Sequence, residues 1–156
     1  MKVLIVDESP EVRMNLALVL NGLSPRIAVT EALNGKLALH ALTRNAYDFI
    51  ITELDMEGGS GETFIAHLKF SRLLKEKPIV VYSDRDFDDS KYDNIVHIFK
   101  ALTPLAELHT IIKELIFSHF ICPRCDEHVD GVDCTEACFY RPYDPKWKAK
   151  LLANMK

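Results

Sequence analysis

Acidic, hydroxyl and lysine side chains stand where the apolar runs of this chain end, and their types are those of an ion-binding pocket. Val3-Leu4-Ile5-Val6 ends in the pair Asp7-Glu8, and Phe49-Ile50-Ile51-Thr52 ends in Glu53 with Asp55 two residues on. Two later runs end in Ser83 and, after Val96-His97-Ile98-Phe99, in Lys100. Asp7, Glu8 and Glu53, if gathered at one edge, repel one another, so a divalent cation or Lys100 must offset them. A second constellation lies further on. Cys122-Pro-Arg-Cys125 and Cys134-Thr-Glu-Ala-Cys138 hold all four cysteines, and residues 1–121 hold none. A two-residue gap lets a tight turn aim two thiolates at one ion. Asp133 can cap a short helix with Glu136 as its capping-box partner, which places Cys134 and Cys138 on one helical face. Four converging thiolates suit tetrahedral zinc, and in so short a segment metal binding would stabilise the fold directly. A Cys122–Cys125 redox pair, an iron–sulfur cluster, whose usual spacings differ, and replacement of one cysteine by His119 or His128 stay open as alternatives.

The elements that must position these groups alternate in type. After the first apolar run, Ser9 can cap a helix with Pro10 at its first position and Glu11 near the positive end. That helix carries Val12, Leu16, Val19 and Leu20 on one side and is expected to stop near Asn21-Gly22. Residues 27–32 read as a second strand, and Asn34-Gly35 leads into a helix over 36–42. Residues 47–52 make the third strand, and 62–74 a helix with Phe64, Ile65 and Leu68 inward. Strands over 78–82 and 96–99 follow, then a helix over 104–119. Apolar strands separated by helices imply a parallel sheet covered on both faces. The flavodoxin-like, doubly wound α/β order 2-1-3-4-5 puts the ends of the first and third strands together at the switch point, where Asp7, Glu8 and Glu53 fall. Residues 84–95 contain Asp84, Asp86, Asp88, Asp89 and Asp93 and no helical apolar stripe. An acidic loop or a stunted helix is expected there.

The order acid-acid, acid, hydroxyl, lysine resembles the receiver domain of bacterial two-component response regulators, over about three quarters of the chain. In that family the third strand ends in the aspartate that accepts phosphate from a donor phosphohistidine. The resemblance makes Glu53 the phosphoacceptor equivalent and Asp7, Glu8, Glu53 and the backbone near Asp55 the magnesium pocket. It makes Ser83 and Lys100 the phosphoryl-binding pair and His97 the switch position. Glutamate pushes the carboxylate roughly 1.5 Å further into the pocket, and a misplacement of about 1 Å can cost on the order of 100-fold in rate. It can also reach Lys100 or Ser83 directly, which resembles the charge placement of a phosphorylated aspartate. Ala101 and Glu57 replace prolines usual in the family, and His97 replaces a preferred Tyr or Phe. The expectation is a non-enzymatic, atypical receiver that takes phosphate poorly or not at all, with weak magnesium binding. The alternatives are a working phosphoacceptor at Glu53 and a DNA-binding regulator acting through the zinc module.

Length and charge bound the rest. The 156 residues suffice for a receiver-like domain over 1–120 and a small zinc-binding module over 121–156. Within the module Trp147, Leu151 and Met155 recur at four-residue spacing among lysines, a C-terminal amphipathic helix that packs on the module, on a dimer mate or on a docking partner. A formal charge of -4 argues against a nucleic-acid partner. No apolar stretch is long enough for a membrane span, and the opening residues lack the pattern of a secretory leader. The expected location is cytoplasmic, and the expected partners are a sensor kinase or downstream signalling protein and a second copy of the chain.

Overall fold

The strand-forming runs sit where hydrophobic patterning places them. The computed structural model describes residues 1–71 and 77–119, with side chains as far as Ile116. β1 (Lys2–Val6), β2 (Ala28–Ala32), β3 (Phe49–Thr52), β4 (Ile79–Tyr82) and β5 (Ile95–Ile98) form one parallel sheet in the order β2-β1-β3-β4-β5. Helices α1 (Pro10–Leu23), α2 (Gly35–Arg44), α3 (Gly61–Phe70) and α4 (Leu105–His119) cover it. Side chains of a strand alternate between faces, so Val3 and Ile5 join Leu16, Leu20, Leu108 and Ile112 under α1 and α4. Leu4 and Val6 turn the other way, to Ala38, Phe64, Ile65 and Leu68 under α2 and α3. Both faces are therefore dry, which is why the central strands read as continuous apolar runs rather than alternating ones.

The starts of α1, α2 and α3 are fixed by local caps. The Ser9, Asn34 and Ser60 side chains accept from the backbone N–H of Val12 (3.4 Å), Leu37 (3.0 Å) and Thr63 (3.3 Å). α1 runs one turn-fraction past the expected stop at Asn21-Gly22, to Leu23, because its last residues still pack on the sheet. β5 begins at Ile95 and ends at Ile98, so Phe99 leaves the strand and is exposed.

No helix forms between β4 and β5. A single 3₁₀ turn (Asp89–Lys91) stands there, as the acidic, stripe-free sequence implied. The aspartates of this link accept from backbone N–H groups instead: Asp88 from Ser90 within the turn (3.2 Å), Asp89 from His97 of β5 (3.2 Å) and Asp84 from Ala101 beyond it (2.6 Å). The Asp88 carboxyl is held down to about 2 by hydrogen bonds from Lys91 and Ser90. Residues 72–76, the expected end of the third helix, lie outside the described residues. So do the four cysteines, His128 and the stripe of Trp147, Leu151 and Met155.

Candidate functional site

The sheet register delivers the site. Val6 pairs with Thr52, Thr52 with Val81 and Tyr82 with Ile98, so the residues just past these positions emerge together at the C-terminal edge. The ladder continues one step beyond the strands: Glu53 donates its N–H to Val6 (2.8 Å), Asp7 to Ala32 (3.1 Å) and Ser83 to Ile98 (3.1 Å). Asp7, Glu53 and Ser83 are accordingly buried, at 2 %, 9 % and 1 % exposure. Charged groups this deep need partners.

Lys100 is the central partner. Its Nζ donates to Asp7 Oδ2 at 2.6 Å and pairs with Glu53 Oε2. Burial works against the Lys100 charge, but the hydrogen bonds to Asp7 and Glu53 and the two negative charges outweigh it and hold its pKa above the ordinary lysine value. Nζ also lies 5.5 Å from the centre of the Tyr82 ring. Burial pushes the Tyr82 phenol up, with the Lys100 charge pulling the other way. The remaining oxygens are held by backbone. Glu53 Oε1 accepts from Leu54 N (2.6 Å) and Asp55 N (3.3 Å), and Asp7 Oδ1 accepts from Ser9 N (2.8 Å). Of the two groups within reach of Glu53 by sequence reasoning, Lys100 is the one it meets. The Ser83 hydroxyl accepts from Arg85 N at 3.2 Å.

Glu8 and Asp55 stand apart from this centre. Glu8 is exposed and accepts from Glu57 N at 2.8 Å, which ties the loop after β1 to the loop after β3. The Asp55 carboxylate is exposed and pairs with Arg85. Among the described residues no group of three or more His, Cys, Asp or Glu side chains is arranged to hold a metal ion. The hard carboxylate oxygens of Asp7 and Glu53 are of the right chemistry for magnesium, but as arranged they converge on the Lys100 ammonium. His97 is half-buried, with its ring 4.4 Å from that of Phe99 and 6.4 Å from that of Phe87. Its Nε2 lies 3.2 Å from the Ser83 carbonyl, which can only accept, so this nitrogen carries the proton. The switch position is thus joined to the strand end that carries Ser83.

Three residues that sequence reasoning passed over shape the site. Arg13 is 9 % exposed, with Nη1 donating to the carbonyls of Asp7 (2.8 Å) and Glu8 (3.0 Å) and Nε to Glu31 (2.8 Å). It braces the loop that presents both acids, and the available signal was a charge beside the inward stripe of α1. Arg85, one base amid the acids after β4, bridges Asp55 (2.9 Å) and Glu62 (2.8 Å). Gly61 brings α3 against the acid strand: a Cβ there would lie 1.9 Å from the Glu53 carbonyl oxygen.

A sequence model of the response regulator receiver domain matches residues 3–101. The chain belongs to that family. It is a receiver domain of two-component signalling, and the matched span contains every pocket residue named above, while the four cysteines lie beyond it. Solved receivers agree with the fold. The chemotaxis response regulator CheY4 of Vibrio cholerae is 20 % identical with a TM-score of 0.59, covering 72 % of this chain and 95 % of its own. TrrA of Thermotoga maritima, solved in complex with Mg²⁺-BeF, is 22 % identical with a TM-score of 0.57, covering 72 % and 96 %. A CheY-like receiver domain of Methylobacillus flagellatus is 20 % identical with a TM-score of 0.59, covering 72 % and 96 %. No curated protein matches the chain. Among the described residues no helix of this receiver is long and apolar enough to cross a membrane.

Proposed function

We propose that this receiver signals without phosphotransfer, with the Glu53 carboxylate standing as a resident anion where a phosphoryl group would bind. One observation carries the reading: both Glu53 oxygens are already engaged, Oε1 by the amides of Leu54 and Asp55 and Oε2 by Lys100. An attacking carboxylate needs a free oxygen aligned with the donor phosphorus. Here that oxygen is bound as a ligand instead, and the extra methylene of glutamate is what lets it fold back onto the loop. Magnesium binds weakly on this reading, because it must displace Lys100 from Asp7 and Glu53. The protein acts by contact and turns over no substrate. Its partners are a kinase or downstream protein and a second copy, met through the faces flanking β5 and through the C-terminal segment, in the cytoplasm.

The test is intact-mass measurement after acetyl phosphate treatment with magnesium. The expected result is no stoichiometric gain. A full phosphate mapped to Glu53 overturns the reading and makes this a working acceptor, a role for which Ser83 and Lys100 are still at the strand ends. The C-terminal part of the proposal rests on spacing: Cys122, Cys125, Cys134 and Cys138 suit one structural zinc. Metal analysis of full-length protein purified without chelator is expected to give about one zinc per chain. Iron with a brown colour, or no metal, removes the zinc module.

A further inference from the structure

The Glu8 carboxylate is held by a backbone donor from another loop. Its Oε2 accepts from Glu57 N at 2.8 Å, a charge-assisted bond across 49 residues of chain. Other contacts fix both ends of that bond. Arg13 Nη1 donates to the carbonyls of Asp7 (2.8 Å) and Glu8 (3.0 Å), and Ser9 N donates to Asp7 Oδ1 (2.8 Å), so the turn carrying Glu8 is braced. On the other side, Met56 is buried in the core under α2 and α3. Gly58 and Gly59 then turn the chain through φ of 75° and 150°, and Gly59 O accepts from Gly35 N at 2.9 Å. The Glu57 N–H is therefore presented by a loop anchored before and after it. Glu57 is one of the two positions where this chain lacks a proline usual in receivers, and proline has no N–H to donate. With Asp7 and Glu53 on Lys100 and Glu8 on Glu57 N, each of these three acids already has a partner within the chain.

We propose that the Glu57 N–H is a latch that withholds Glu8 from a divalent cation, which makes residue 57 a positioning residue for the magnesium affinity of this receiver. Magnesium binding at Asp7, Glu8 and Glu53 then requires two releases, of Lys100 from its acids and of Glu8 from the latch. Only the Glu8 side chain has to rotate, since Arg13 keeps hold of its backbone. The proposal rests on the weak magnesium binding of the proposed function and deepens it, adding a barrier in a different loop from Lys100. Linkage makes the competition reciprocal: an ion that takes Glu8 also frees the Glu57 N–H.

Magnesium titration, followed by the amide shifts of Asp7 and Gly58, compares two variants of the full chain. Glu57→Ala removes the carboxylate and keeps the N–H, whereas Glu57→Pro removes both. The lost charge is common to the two, so a difference between them belongs to the backbone. Glu57→Pro is expected to bind magnesium about threefold to tenfold more tightly than Glu57→Ala, the range of one net hydrogen bond. That gain should vanish when Glu8→Ala is added to both, because no carboxylate is left to release. Equal affinity of the two variants, or a gain that survives Glu8→Ala, overturns the proposal. So does a folded Glu57→Pro chain that binds no magnesium. If Glu57→Pro does not fold, hydrogen exchange at the Glu57 amide decides the matter. Magnesium added to the unsubstituted chain, and Glu8→Ala without magnesium, should each speed that exchange, and either one leaving it unaltered sinks the latch. Failure of the underlying reading shows separately, as equal magnesium affinity with and without Lys100→Met or as phosphate on unsubstituted Glu53.

Discussion

Replacing Lys100 by methionine should cost this domain about 2–3 kcal/mol, because it removes a shared counter-ion from a buried site. The side chains of Lys100, Asp7 and Glu53 are 17 %, 3 % and 10 % exposed. Removing one member of a buried ion pair typically costs about 3–5 kcal/mol, since the partner stays behind unpaired. Two features lower that figure here. The amides of Ser9, Leu54 and Asp55 still hold three hydrogen bonds to the stranded carboxylates, and methionine keeps most of the apolar stem. For a chain of this size the loss corresponds to a fall of roughly 5–10 °C in Tm. Urea unfolding at neutral pH with chelator present measures it, and a cycle with Glu53→Gln isolates the cause. Once Lys100 is gone, neutralising Glu53 leaves Asp7 as the one buried carboxylate of the pair and should recover about 1 kcal/mol or more. A Lys100→Met protein within about 0.5 kcal/mol of the parent would refute the counter-ion argument. So would a Glu53→Gln change that destabilises the Lys100→Met background further.

Further outcomes follow from the same geometry. Lys100 and Tyr82 both hold their protons more tightly folded than unfolded, so their stabilisation is complete below the unfolded values of 10.5 and 10.0 and drains away as pH rises through the folded ones. The urea midpoint should therefore fall at alkaline pH, and Lys100→Met with Tyr82→Phe should flatten that fall. Gly61→Ala drives a Cβ to 1.9 Å from the Glu53 carbonyl oxygen, so it should cost about 3 kcal/mol, with urea denaturation as the measure. Near-wild-type stability would mean that α3 can retreat from β3. Magnesium, followed by amide shifts of Asp7 and Glu53, should saturate at lower concentration in the Lys100→Met chain. Equal affinity in both chains would show that Lys100 and the ion do not compete.

The sequence by itself determined the architecture and the cast of the site. Continuous apolar runs fixed the five strands, Ser9 and Asn34 fixed two helix starts, and the aspartate-rich link refused a helix. These are local effects, settled by hydrogen bonds and side-chain periodicity within a few residues of chain. Element ends were less legible: α1 outruns Gly22 because its last residues still pack on the sheet, and β5 stops at Ile98, the last residue paired with β4, short of Phe99. That Asp7 and Glu53 come together followed from the strand order; that Lys100 joins them and that Glu8 stands apart did not. Nor did what they do on meeting. Lys100 and Asp7 lie 93 residues apart in the chain, and no periodicity says whether an ammonium, a serine hydroxyl or a loop amide will hold the Glu53 carboxylate. That choice depends on fractions of an ångström between strand ends, as do the inward turn of Arg13, the fork of Arg85 across 30 residues to Asp55 and the close approach that only glycine permits at position 61. The sequence named a pocket of acids with one lysine. The tertiary structure decided that the lysine is shared, that Glu53 is bound rather than free, and that Arg85 bridges Asp55 to Glu62.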